Sequence, residues 1–266
     1  MNYEREYYTM QIPFMVSCNI TEYDMSKANI SILLASGLIN KEEYDKLYNM
    51  PRMERQITIG KMQINNEKIK QGLKNGFAHY RKLFIESNGL QDSDILSIKK
   101  DAIFVINKEP RICEFDNYIR FTPKNRYTSF FKILGLEFYY LLDRLNGIEN
   151  LDVKGISDDK LLLHGDYMIQ FLCVVFEALN SRSPEEIIDI IVKFSERYLN
   201  RELDLGYYRE FNADSGFRVS MKNTQYLMDF ALEEEKQYIN ISYNYKLIQE
   251  LYKIASLLYS STKKRR

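Results

Sequence analysis

The chain has 266 residues, with 37 Lys+Arg against 37 Asp+Glu, 45% hydrophobic residues and 14% aromatics. That is enough apolar content to bury a sizeable core, and it excludes a disordered tail or a low-complexity array. The largely apolar stretches at 28–40 and 167–176 are far shorter than the roughly 18–20 residues of a membrane span, and the start MNYEREYYTM lacks the apolar run of an export signal, so a soluble, cytoplasmic protein without membrane contact is expected.

From Tyr3 onward the first β-favouring stretch is QIPFMVSCNITEYD at 11–24, one extended strand or a strand pair that ends on Asp24. Helical spacing then begins at Ser26, with Ala28, Ile32 and Ala35 on one side and Gly37 as the stop. Asn40 is positioned to cap a helix over 41–49, with Glu42 and Glu43 in its first turn. Pro51 opens a new segment, and 52–85 read as two helices broken near Asn65 and Asn66. Residues 95–107 and 111–121, separated by Lys108, Glu109 and Pro110, look together like a β-hairpin. Residues 127–145 are aromatic and apolar, and periodicity does not separate helix from strand there. Helices follow at about 158–180, 184–202 (Ser183 as cap, Glu186 at the third position) and 243–260, with a hairpin or loop at 203–219.

The class is therefore α+β, a small antiparallel sheet with a helical insertion and a C-terminal helical region. The expected division is 1–125 as an α+β region and 126–266 as a mainly helical one.

Zero net charge hides an uneven distribution. Residues 1–51 carry −3, 52–132 carry +7, 133–262 carry −8, and Lys263, Lys264, Arg265 and Arg266 add +4. Between Arg52 and Lys82, eight Lys/Arg stand against Glu54 and Glu67 alone. Such a field suits a polyanion, nucleic acid or a nucleoside triphosphate; a solvated basic face turned to the acidic half is the plain alternative. Cys18, Cys113 and Cys173 are far apart and form no CxxC, so neither a disulfide framework nor a zinc site is indicated. His79 and His164 are too few for most metal or acid–base schemes. Dinucleotide, Walker A, GxSxG and HExxH patterns are absent.

Two aspartates stand out. Asp24 ends an apolar strand, and Asp101 interrupts ILSIKKDAIFVI. Carboxylates in such strands are costly unless paired, hydrogen-bonded or bound to a metal. On neighbouring strands they would form a hard-oxygen site suited to Mg²⁺, which takes one or two protein carboxylates and completes its shell with phosphate and water. Plainer roles remain open beside this one: Asp24 as a helix cap and Asp101 as a turn former. The YYREF run at 207–211, with Arg218, combines rings and cations as single-strand binding surfaces do, although packing of the tyrosines against helices is the simpler reading.

The run YDMSKANISILLA from Tyr23 to Ala35 resembles motif A of template-dependent nucleic-acid polymerase palms, and ILSIKKDAIFVI resembles motif C. Lys61 and Asn65 in KMQIN follow the family B spacing of motif B, and the order A, B, C is kept. This resemblance covers about residues 12–122. It implies a minimal, divergent palm of phage or mobile-element type acting as a metal-dependent nucleotidyltransferase on a nucleic-acid 3′ end. By it, Asp24 and Asp101 hold Mg²⁺ or Mn²⁺, with the Met25 carbonyl as a further ligand. Lys61 contacts the triphosphate with help from Arg52 and Arg55, and Lys99 and Lys100 touch the primer strand. Asn29 stands where family A polymerases carry a Glu that excludes ribonucleotides. Motif C here reads Lys100, Asp101, Ala102, so it carries one carboxylate where the family patterns have two acids. The implied partners are DNA or RNA, nucleoside triphosphates, and a second protein supplying the missing thumb. The alternative is a non-catalytic nucleic-acid-binding or polymerase-partner module with a degenerate palm.

Overall fold

A computed structural model describes residues 4–143, 145–156, 166–208 and 241–263. In chain order the elements are β1 (Tyr7–Thr9), β2 (Phe14–Met15), β3 (Ile20–Met25), α1 (Ala28–Ala35), α2 (Lys41–Asn49), α3 (Arg52–Asn65), α4 (Glu67–Ser87), β4 (Ile95–Lys99), β5 (Ala102–Ile106), β6 (Glu114–Phe115), β7 (Ile119–Tyr127), β8 (Ser129–Ile133), β9 (Leu136–Asp143), β10 (Ile148–Lys154), α5 (Asp166–Ser181), α6 (Pro184–Leu199) and α7 (Ile241–Lys263). The class is α+β with antiparallel strand pairing. The chain forms two units: Met1–Gln11 with Cys18–Arg126, and Ile12–Ser17 with Tyr127–Arg266.

The first unit is built on a sheet of order β1-β4-β5-β3-β7-β6. β3 runs antiparallel to β5, with Asp24 opposite Ala102, and β4 returns into β5 with Lys99 opposite Ala102. Only Lys100 and Asp101 lie in that turn. α4 presents Ile69, Leu73, Phe77, Tyr80 and Phe84 as one buried stripe at helical spacing. Phe84 sits 5.3 Å from Tyr23 and 4.5 Å from Phe121, which ties α4 to the sheet. A Cβ on Gly76 would run into Ile32, and one on Gly72 into Leu38, so Gly76 sets how closely α4 approaches α1 and Gly72 how closely it approaches the segment that follows α1.

Local signals explain the helix boundaries. α1 closes in a Schellman arrangement: Gly37 has φ +68°, its amide donates to Leu34 O, and the Leu38 amide donates to Leu33 O at 2.9 Å. Asn40 and Glu43 form a reciprocal capping box on α2. The break between α3 and α4 falls on Asn66, whose side chain accepts from the Lys68 amide.

The second unit carries a sheet of order β10-β9-β8-β2. β8 and β9 are joined by Leu134 and Gly135, both with positive φ, as a two-residue hairpin turn requires. One face is filled with rings. Phe131 stacks on Phe176 at 4.1 Å, Phe171 on Phe194 at 3.5 Å, and Tyr198 on Tyr208 at 4.7 Å. α6 begins with the expected Ser183–Glu186 capping box.

Several expectations need correction. Residues 95–107 do not form one strand paired with 111–121; they fold back on themselves as the β4–β5 hairpin, and β6–β7 is a second one. Within 127–145 lie the strands β8 and β9, and with β10 they give the C-terminal half a sheet as well as helices. The stretch 11–24 contributes β2 and β3 to different sheets, so it is neither one strand nor a mutual pair. Of the helix expected at 158–180, residues 158–165 lie outside the described residues, as do 209–219 of the loop region, including Arg218. Among the described residues no helix is long and apolar enough to cross a membrane.

Candidate functional site

β3 delivers Asp24 to the end of the sheet at which the β4–β5 turn presents Asp101. The two backbones are bonded there: the Met25 amide donates to the Asp101 carbonyl at 3.0 Å, and the Ser26 amide to Arg120 O at 2.9 Å. The Thr122 hydroxyl donates to the Asp24 carbonyl at 3.4 Å. Both carboxylates are half-buried, and both line a cavity of about 280 Å³ together with Met25, Asn29, Lys27, Arg52, Arg55, Gln56 and Lys124. Two acids thus face four cations. A concave, positively biased site of this kind concentrates anions, while its carboxylates offer hard oxygens to a cation.

Each cation is placed by an identifiable local cause. Lys27 takes the left-handed conformation at the N-cap of α1, with φ +47°, and its ammonium lies 2.8 Å from the centroid of the Tyr48 ring. The N-cap position of α1 is therefore Lys27 rather than Asp24. Arg52 and Arg55 stand on the inner face of α3. The Arg55 guanidinium also donates to Met50 O at 3.3 Å, holding the α2–α3 connection. Lys124 is anchored by Glu22, a carboxylate only 3% exposed, at 4.0 Å. The Asn125 amide donates to the same carboxylate at 2.8 Å. A buried carboxylate with such partners is the arrangement that offsets its desolvation.

Asn29 adds a different feature. Its Oδ1 is buried in the pocket wall and accepts no hydrogen bond from the protein, which is uncommon for a buried polar atom.

The turn itself is strained. Lys100 has φ +55°, a conformation that costs a non-glycine residue about 1–2 kcal/mol. Its amide donates to Glu6 O at 2.7 Å, and its carbonyl accepts from Arg81 Nη1 at 2.6 Å. Arg81 is fully buried. Burial lowers its pKa, and the negative charges of Glu6 and Asp101 pull in the opposite direction.

Of the residues singled out from sequence, Asp24, Met25, Asn29, Arg52, Arg55 and Asp101 gather in this pocket. Lys61, Lys99 and Lys100 do not line it. Lys61 is exposed and lies nine residues beyond Arg52, which on a helix is half a turn around the axis, so it faces away from the Arg52 side. Lys99 instead donates to the Thr9 hydroxyl at 3.2 Å, and the Lys100 ammonium lies 5.2 Å from the Phe77 ring centroid. Residues the sequence reading passed over are Lys27, Gln56 and Lys124 in the wall, and Glu22 and Arg81 behind it. Glu22 carried a readable signal, since it shares a strand face with Asp24 two positions on.

A second cavity, about 700 Å³, runs along α1 and α4 past His79, Tyr80 and Asp116 and shares no lining residue with the first. There the Tyr80 hydroxyl donates to Asp116 at 2.6 Å. His164 lies outside the described residues. Tyr208 is buried, its hydroxyl donating to Tyr198 O at 3.1 Å, so this part of the YYREF run packs against helices.

Among the described residues no cluster of three or more His, Cys, Asp or Glu side chains gathers. The two carboxylates that line the cavity suit a hard divalent ion that completes its shell with phosphate and water. A family model described as Bacteriophage PBS1 gene 130 protein matches residues 1–257. No curated protein matches the chain.

Proposed function

The chain belongs to the Bacteriophage PBS1 gene 130 protein family, and we propose that its acidic and basic pocket carries out metal-dependent nucleotidyl transfer onto a nucleic-acid 3′ end. The observation that carries this reading is the convergence of Asp24 and Asp101 in one cavity with Lys27, Arg52, Arg55 and Lys124. The chain order lends further support. An Asp-ending strand, two basic helices and a hairpin with Asp at its turn follow one another, with β3 and β5 as neighbours, as the resemblance to motifs A, B and C implies.

On this reading Asp24, Asp101 and the Met25 carbonyl hold Mg²⁺ or Mn²⁺. When bound, the ion neutralises the triphosphate and activates the attacking hydroxyl. Arg52 and Arg55, rather than Lys61, meet the phosphates, with Lys124 braced by Glu22 as a further cation. Asn29, which lines the same cavity, meets the sugar of the nucleotide. Lys61, with Lys68, Lys70 and Lys74 on the exposed side of α3 and α4, offers a track for the nucleic-acid backbone and a salt-sensitive affinity.

Primer extension on DNA and RNA templates, with Mg²⁺ or Mn²⁺, tests the reading. Extension by the wild type that is abolished in Asp24→Ala and in Asp101→Ala is the expected result. Nucleic-acid binding that persists in all three proteins without extension would replace it with the reading of a non-catalytic binding module.

A further inference from the structure

The buried Arg81 does not line the pocket, and its bond to the turn that bears Asp101 is joined by others along the same backbone. Lys100 is bent into the left-handed region with φ +55°. Its amide is tied to Glu6 O at 2.7 Å and its carbonyl to Arg81 Nη1 at 2.6 Å. The next carbonyl, that of Asp101, accepts from the Met25 amide at 3.0 Å. Remove the Arg81 donor and the carbonyl of half-buried Lys100 loses that partner in a strained turn, one residue before Asp101.

We infer that Arg81 is a positioning residue: its guanidinium, inserted beneath the β4–β5 turn, holds Lys100 in its left-handed conformation and thereby fixes Asp101 beside Asp24 for divalent-cation binding. This rests on the reading of the aspartate pair as a cation site. Arg81 touches neither the ion nor the substrate; it acts through the turn. Groups that orient a ligand to a metal in this way typically change metal affinity by about 10- to 100-fold when removed.

The test uses the full chain as wild type, Arg81→Gln, Arg81→Gln with Lys100→Gly, and Asp101→Asn. Mn²⁺ affinity is read from water-proton relaxation. Hydrogen exchange is read at the Lys100 and Met25 amides against Ile103 and Val105 in β5. Arg81→Gln is expected to lower Mn²⁺ affinity about tenfold and to speed exchange at Lys100 and Met25 more than at Ile103 and Val105. Adding Lys100→Gly is expected to restore much of the Mn²⁺ affinity, because glycine adopts positive φ without steric cost; exchange at Ile103 and Val105 separates this local repair from a gain in overall stability.

If Arg81→Gln does not fold, Arg81→Lys, which keeps a buried cation, serves as the background for the same comparison. Unchanged Mn²⁺ affinity in a folded Arg81 variant, or no recovery on adding Lys100→Gly, overturns the inference. A wild type that binds no Mn²⁺ overturns the reading of the aspartate pair instead, and unchanged exchange at Lys100 and Met25 would still overturn the positioning role by itself.

Discussion

The two units treat buried charge in opposite ways. In the first, buried Glu22 and Arg81 stand behind one end of a sheet, and each braces a part of the pocket: Lys124 in one case, the Asp101 turn in the other. In the second, the space between sheet and helices is filled by stacked rings, and buried Glu137 is answered within its own sheet by the Tyr139 hydroxyl at 2.8 Å. Aromatic packing yields stability and asks for no ligand. A buried charge is expensive to desolvate, and where two of them support the same polar cavity their placement points to binding.

The largest effect expected from this contrast lies in the ring-filled core. Phe176 is fully buried between Phe131, Phe138 and Tyr140, so Phe176→Ala should cost about 3–5 kcal/mol in denaturant unfolding. A cost no greater than that of a surface change would break the contrast at its aromatic end. Next comes Gly76→Ala, which forces a methyl group toward Ile32. It should destabilise by about 1–3 kcal/mol, and because α1 carries Asn29 it should also weaken ligand binding at the pocket.

Smaller is Ser183→Ala at the α6 cap, about 1 kcal/mol by thermal or denaturant melt. Hydrogen bonds from Ser183 hold the Glu186 carboxyl below its ordinary range. Its stabilising contribution is therefore present above the unfolded carboxylate value and lost as pH falls through the lower folded value. Comparing wild type with Glu186→Gln across acid pH should show the difference at neutral pH and its disappearance in strong acid. Smallest in stability, within about 0.5 kcal/mol, is Lys61→Ala on the exposed side of α3, yet it should reduce the salt dependence of nucleic-acid binding by about one unit of slope. An unchanged slope would remove that side of α3 from the nucleic-acid interface.

Much of this arrangement was readable from residue pattern. Asp24 and Asp101 each interrupt apolar strand sequence, and that local conflict marks both. Asn40, Asn66, Ser183 and Gly37 announce their helix ends because capping is a short-range matter. What escaped depends on three-dimensional phase and burial. Lys61 and Arg55 look alike in a basic run, and only the helical rotation separates the pocket-facing cation from the outward one. Arg81 was one of eight basic residues between 52 and 82, and nothing in that run distinguishes a guanidinium enclosed beneath a turn from one in water. The β8–β9 pair was ambiguous because a strand buried by rings has no polar alternation to betray its period. At 95–107 the turn at Asp101 was considered but the strand was still paired with 111–121, because Lys100 has no glycine beside it; the bonds to Glu6 and Arg81 that support the turn come from distant parts of the chain.

The central claim is that Asp24, Asp101 and the basic wall act together on a divalent ion and a triphosphate. Its most direct test is equilibrium binding of a nucleoside triphosphate with and without Mn²⁺, comparing wild type, Asp24→Asn, Asp101→Asn and Arg52→Ala with Arg55→Ala. The account predicts binding by the wild type that strengthens with Mn²⁺, loss of that strengthening in either aspartate variant, and weak binding in the arginine variant under both conditions. Mn²⁺ dependence unchanged by both aspartate substitutions would contradict it.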